Sequence, residues 1–244
     1  MRCPRIYTPQ TLTPNSTVAL DAEAAHHVAR VLRMQAGDAL ILFNGDGGEY
    51  RAAITNIDKR SVQVSLGACD ASERESPLAI HLGIAISKGE RMDWVIQKAT
   101  ELGVAQITPL QTERVEVRLS GEREEKKSAH WRAIAISACE QCARNRIPAL
   151  NAPQPLVAWL DNVVADAKFV LHHRSEITLE SHEAKPKSVA LLIGPEGGLS
   201  EMEIALAAKK NFAPLRLGPR VLRTETAPLA ALSILQFLWG DLRA

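Results

Sequence analysis

The stretch LLIGPEGGLSEME (191–203) leaves the backbone few choices. An apolar run stops at Gly194-Pro195, two glycines follow at 197 and 198, and Ser200 stands three residues before Glu203. That last spacing is a capping box, in which a hydroxyl and a carboxylate each satisfy a backbone N–H at a helix start. The segment therefore predicts a strand, a tight turn and a helix. Paired glycines let backbone N–H and C=O groups approach a ligand directly, and open α/β sheets bind ligands beyond the carboxyl ends of their strands. A plain strand-to-helix turn explains an isolated GPEGG equally well. The dinucleotide fingerprint G-x-G-x-x-G is absent.

A second segment of similar design, RLGPRVLRTETAPLAAL (216–232), also joins a strand to a helix. Two such loops can enclose one ligand. Gly218-Pro219 turns the chain, Thr224 or Thr226 can cap the final helix, and Pro228 is tolerated in its first turn. The polar run RVLRTET (220–226) carries two arginines and a glutamate that capping alone does not require.

Both loops sit in a longer alternation of apolar strands and amphipathic helices that begins at Leu78 and predicts an α/β domain. LAIHLGIAIS leads into KGERMDWVIQKATELG, where Met92, Val95, Ala99 and Leu102 form an apolar stripe that Gly103 can end. Strand AQITPLQT follows, then an exposed charged stretch (121–128), and a helix from Trp131 to Arg146 stopped by Pro148. Strands FVLHHR and SVALLIGPE, helix LSEMEIALAAKKN, strand APLRLG and a final helix from about Thr226 to Leu242 complete the domain. Upstream, residues 38–68 read as short strands, with Asn44 to Gly48 and Asp58-Lys59-Arg60 as turns. A preceding helix capped by Asp21 places Ala25, Val28, Ala29 and Leu32 on one face. The polar run 69–77 marks the boundary between a first domain, 1–72, and a second, 73–244. The final helix carries Leu229, Leu232, Ile234, Leu235, Phe237, Leu238 and Trp239 around its whole circumference, which demands cover on most sides. Burial in the core and a place in a subunit interface both supply that cover.

Composition excludes more than it identifies. The net charge of +1 gives no field that announces a nucleic acid, and residues 1–72 balance seven Lys and Arg against seven Asp and Glu. No apolar run approaches the roughly 20 residues of a membrane span, and MRCPRIYTPQTL has no signal-peptide core, so a soluble, cytoplasmic protein is expected. Cys3, Cys69, Cys139 and Cys142 are too few and too scattered for a disulfide framework. Cys139 and Cys142 form a CxxC within a helix, but no second ligand pair stands at zinc spacing, so no metal is expected.

IGPEGGLS (193–200) followed by LGPRVLRTETA (217–227) closely resembles the RsmE family of 16S rRNA uridine-N3 methyltransferases. The likeness extends to KGERMDWVIQKATELGV (88–104), EQCARNRIP (140–148), the N-terminal RIY and HHVARVLRMQAGD (26–38). It departs from the family pattern at Cys142-Ala143, where a small residue and glycine are more usual. The resemblance implies a SPOUT-type C-terminal α/β domain with a deep trefoil knot, preceded by a small PUA-like RNA-binding β-barrel, and a homodimer acting on 16S rRNA in the small ribosomal subunit. It implies S-adenosylmethionine as cofactor, held around Gly194, Pro195, Glu196, Gly197, Gly198, Leu217, Gly218, Leu222, Thr226 and Ala227.

Methylating uracil N3 requires a base for the imide proton and a cation for the charge that develops on the ring. Arg223 is the candidate clamp, since its planar fork suits a carbonyl or a phosphate; an ion pair with Glu225 at the helix start is the other reading. Glu225 either takes the proton or orients Arg223. His172 is a further candidate for the base, with a structural role also open. For RNA contact the candidates are Arg5, His26, Arg30, Arg33, Lys88, Arg91, Gln141 and Arg144. A solvated helix face, with Glu140 and Arg144 paired at i,i+4, accounts for the Ser137, Gln141 and Arg144 stripe as well. Two other functions stand beside the enzyme: a non-catalytic RNA-binding ribosome-assembly factor that keeps the loops without turnover, and a different α/β enzyme with a nucleotide cofactor, against which the missing P-loop and Rossmann motifs count.

Overall fold

A computed structural model describes residues 3–58, 61–117, 119–172 and 185–243. The chain divides into two units, residues 1–75 with 136–147, and residues 76–135 with 148–244.

The first unit is built on a five-stranded sheet in the order β1-β3-β4-β5-β2. β3 (Ala39–Phe43), β4 (Glu49–Ile57) and β5 (Val62–Asp70) form an antiparallel meander. β1 (Arg5–Tyr7) joins β3 in parallel and β2 (Thr17–Ala19) joins β5 antiparallel. Alternate apolar residues of β4 and β5, among them Ala52, Ile54, Val62, Val64 and Leu66, turn inward onto Leu40 and Leu42, as the two-residue period of a strand requires. Asp21 caps α1 (Ala22–His26) by accepting from the Glu23 and Ala24 amides.

The helix then departs from the expected single stripe, because residues His27–Val31 form a π-helical turn in which the Leu32 amide donates to the His27 carbonyl. The wider turn shifts the phase of the side chains. Ala24 and Val28 are buried, while Leu32, expected on the same face as Val28, is 40% exposed.

The second unit carries a seven-stranded parallel sheet in the order β12-β10-β11-β6-β7-β8, with β9 also on β7. Its strands are β6 (Ala79–Ala85), β7 (Gln106–Gln111), β8 (Ala149–Leu150), β9 (Gln154–Pro155), β10 (Ala167–Leu171), β11 (Ser188–Ile193) and β12 (Ala213–Leu215). β6 and β11 run as near-continuous apolar segments because a parallel sheet is covered on both faces. The expected α/β class is thus observed. Of the strand expected over FVLHHR, His173 and Arg174 lie outside the described residues, as do Lys59 and Arg60 of the expected turn.

Among the helices, α2 (Arg91–Glu101) buries Met92, Val95 and Ala99 as its stripe predicts, and Gly103 follows with φ +77°. α3 spans Gly121–Cys142, so the charged stretch expected as exposed chain is its first two turns, and it stops four residues short of the expected end. Ala143, at φ +68°, breaks it before Pro148 is reached. Its turns from Ile136 onward group with the first unit, although a division at 72/73 assigns them to the second. α4 (Leu156–Asn162), which no motif announced, buries Leu156, Trp159 and Leu160. α5 (Glu201–Lys209) begins with the Ser200–Glu203 capping box. α6 (Thr226–Trp239) begins without the side-chain cap expected from Thr224 or Thr226. It buries Ala231, Leu232 and Leu235 but leaves Phe237 55% exposed. No helix among the described residues is long and apolar enough to cross a membrane.

Candidate active site

Five neighbouring parallel strands of the second unit, β12, β10, β11, β6 and β7, deliver their carboxyl ends to one side of the sheet. Four of those ends supply the wall of a cavity of about 790 Å³: Leu215 to Gly218 after β12, Leu171 and His172 at β10, Ile193 to Leu199 after β11, and Arg114 after β7. Arg91, at the start of α2 after β6, joins them. Both glycine loops therefore line one cavity, as their similar design suggested.

The first loop is a turn closed by the Gly198 amide donating to the Pro195 carbonyl at 2.8 Å, and Gly198 adopts φ +69°. Gly194 packs so closely that a Cβ there would lie 2.9 Å from Leu199 Cγ. The Arg114 guanidinium donates to the Gly197 carbonyl at 2.7 Å. Arg91 Nη1 reaches Glu196 Oε1 at 2.7 Å, and its Nε lies 3.9 Å from Glu225 Oε2. The second loop turns at Gly218, φ +74°, and enters α6 through the Thr226 and Ala227 amides, which donate to the Arg223 carbonyl.

Of the residues expected at the cofactor, Gly194, Pro195, Glu196, Gly197, Gly198, Leu217, Gly218, Leu222 and Ala227 line the cavity. Thr226 does not, since the first residue of α6 is turned to solvent. Arg223 and Glu225 both line it, and the expected ion pair between them is absent. Glu225 turns to Arg91 instead, and the exposed Arg223 guanidinium has no partner among the described residues. His172 lines the cavity, where its backbone N–H donates to the Leu215 carbonyl. Arg114 escaped the sequence reading; its position just past strand AQITPLQT was the available signal.

The chain matches a family model described as an RNA methyltransferase domain over residues 74–236, and one described as an RNA methyltransferase PUA domain over residues 20–67. Ribosomal RNA small subunit methyltransferase E of Buchnera aphidicola (subspecies Schizaphis graminum) is 39% identical over 242 residues, covering 99% of this chain and 98% of that one. This chain belongs to the ribosomal RNA small subunit methyltransferase E family. Among solved structures, the family member from Neisseria gonorrhoeae bound to S-adenosylmethionine is 36% identical with a TM-score of 0.93, covering 99% of this chain and all of that one. A Legionella pneumophila protein solved with the same cofactor is 49% identical, with a TM-score of 0.96 and equal coverage.

In this family member the RNA candidates of the first unit fall into two groups. His26, Arg30 and Arg33 are exposed, with His26 and Arg30 beside a shallow cavity bounded by Ala25, Ala29, Ile57 and Val62. Arg5 and Arg144, expected at RNA, are instead buried. Arg5 pairs with Glu49 and donates to Asn145 Oδ1 at 2.6 Å. Arg144 donates through Nε and Nη2 to the Glu75 carboxylate. Burial pushes Glu49 toward protonation, but its hydrogen bonds and charge contacts with Arg5 and Arg74 together outweigh it and hold the carboxyl below its ordinary range. Glu140 and Arg144 do not form the i,i+4 pair, because the helix ends between them. Glu140 accepts from the Tyr7 amide at 2.9 Å, and burial raises its pKa.

Gln141 and Lys88 are exposed, the latter paired with Glu116. Burial pushes the Cys139 thiol up to about 12, the opposite of a metal-binding thiolate. No group of three His, Cys, Asp or Glu side chains among the described residues is arranged for a metal.

Proposed function

We propose that this chain methylates N3 of a uridine in 16S rRNA of the small ribosomal subunit, using S-adenosylmethionine, as a cytoplasmic homodimer whose C-terminal domain carries the deep trefoil knot of SPOUT enzymes. The observation that carries this reading is the single cavity formed by both glycine loops with Arg223 on its wall, in a chain with an RNA methyltransferase domain. A volume of about 790 Å³ suits a nucleoside cofactor of this size. The walls fit it chemically: Leu199, Leu217 and Leu222 offer apolar contact, and the loop backbones around Gly194, Gly197 and Gly218 offer polar edges.

Once bound, S-adenosylmethionine supplies an electrophilic methyl group on a sulfonium. The chain's part is to place the uracil ring, accept its imide proton and hold the negative charge that develops. Arg223 donates its fork to a uracil carbonyl, a contact that strengthens as charge builds on the ring. Glu225 lines the same wall, and we assign it the proton, the alternative being that it orients Arg223. His26, Arg30, Arg33, Lys88 and Gln141, all exposed, are the proposed RNA contacts. The domain of residues 1–72 supplies the first three. Covering Ile234 and Phe237 of α6 with a second copy accounts for their exposure; light scattering at several concentrations tests it, and a concentration-independent monomer contradicts it.

Calorimetric titration with S-adenosylmethionine tests the cofactor assignment. The wild type and Arg223→Ala should bind, and a Gly197→Val/Gly198→Val variant should not. No binding by the wild type, even with small-subunit RNA present, favours the non-catalytic assembly factor.

A further inference from the structure

Arg91 stands at the first turn of α2 on the cavity wall, and its guanidinium faces two carboxylates from different loops: Glu196 of the first at 2.7 Å and Glu225 of the second at 3.9 Å. Arg114 also reaches the first loop, through the Gly197 carbonyl, but has no contact with the second among those observed. Both loops turn on a left-handed glycine, Gly198 in the first and Gly218 in the second. Gly194, Gly197 and Gly198 in one and Gly218 in the other give the backbone wide freedom.

We propose that Arg91 is a positioning residue that clasps the two cofactor loops together and sets the place of the Glu225 carboxylate, and is not an RNA-binding arginine. The planar fork suits the task, because Nη1 donates to Glu196 while the delocalised charge still faces Glu225 as an ion pair from Nε. A lysine could hold one carboxylate as a point charge but offers no second fixed direction. Losing Arg91 frees both loops and leaves Glu196 and Glu225 repelling each other across the cavity mouth, so the cofactor meets a less ordered site. The proposal rests on the cavity being the S-adenosylmethionine site only for its effect on binding; its effect on the loops does not require a cofactor.

The test is amide hydrogen exchange on the full-length protein without cofactor, comparing wild type, Arg91→Gln, Arg91→Lys and Arg114→Gln, followed by calorimetry with S-adenosylmethionine. Arg91→Gln should speed exchange in both 194–198 and 216–225, Arg91→Lys in 216–225 alone, and Arg114→Gln in 194–198 alone. Cofactor affinity should fall about fivefold in Arg91→Gln, the size expected for a partly exposed pair. Unchanged exchange in the second loop of Arg91→Gln overturns the clasp. So does normal cofactor affinity in that variant with a raised KM for RNA alone, which is the signature of an RNA contact. A wild type that fails to bind S-adenosylmethionine defeats the cofactor reading, while the exchange pattern still decides the clasp.

Discussion

Gly194 and Gly198 bracket the first loop, and a side chain fails at each for a different reason. At Gly194 a Cβ would sit 2.9 Å from Leu199 Cγ and 3.0 Å from Leu199 N, so the loop must move to admit it. At Gly198 nothing lies within 4 Å, and the obstacle is only the left-handed φ of +69°, worth about 1–2 kcal/mol for an L-residue. Gly194→Ala should therefore weaken S-adenosylmethionine binding more than Gly198→Ala, measured by calorimetry; the reverse order contradicts the account. Ala143 presents the opposite case, an L-residue at φ +68° where the helix ends. Ala143→Gly should raise stability by up to about 1 kcal/mol in thermal or urea unfolding, since it relieves the left-handed strain at a modest entropic cost.

At the scale of elements, what was legible is what periodicity and capping encode. The α2 stripe, the Ser200–Glu203 box and the Asp21 cap all stand where their residues indicate. The first two turns of α3 were illegible because GEREEKKS has no apolar period. They are tied from outside at their end, where Asp93 of α2 accepts from Lys127 at 3.0 Å, and the next turn adds His130 at 2.8 Å and Trp131 Nε1 at 3.0 Å. Asp93→Ala leaves the Trp131 indole N–H without its acceptor and should destabilise the protein by about 1–3 kcal/mol. Faster exchange in 121–131 would locate the damage, and an unchanged melting temperature would count against it. The π-helical turn escaped notice because a 3.6-residue reading has no way to register an added residue. The burial of Arg5 and Arg144 was equally invisible: spacing places an arginine on a face but not the carboxylates, Glu49 and Glu75, that reach it from distant sequence. In the cavity, the glycine loops were legible as motifs, whereas Arg91 and Arg114 became wall residues only through the order of the strands.

At the scale of the whole molecule, pH dependence follows from groups that the fold holds off their ordinary pKa. His81 sits on β6, where Trp159 Nε1 donates to its Nε2 at 3.0 Å, and burial pushes its pKa down to about 4. The unfolded chain, with a histidine near 6.5, binds the proton more readily than the folded one between those values. Its contribution is therefore complete above pH 6.5 and is lost as pH falls toward about 4, up to roughly 3 kcal/mol in all. Glu49 and Asp93 have lowered pKa values, so their contributions hold above the ordinary carboxylate range and fade below it. Urea denaturation across pH 4 to 8 should show stability falling below 6.5 and falling further below about 4.5, with His81→Asn removing the first slope. Glu140, with its raised pKa, acts in the opposite sense but is common to both proteins, so identical profiles for wild type and His81→Asn from 6.5 to 5 contradict the assignment.

The most direct test of the central claim is methyl transfer from labelled S-adenosylmethionine to small ribosomal subunits lacking the modification, followed by nucleoside mass spectrometry. The account predicts 3-methyluridine as the labelled nucleoside with the wild type, and Arg223→Ala slower by about 100-fold despite normal cofactor binding. Label in another nucleoside, or none with the cofactor bound, would contradict it.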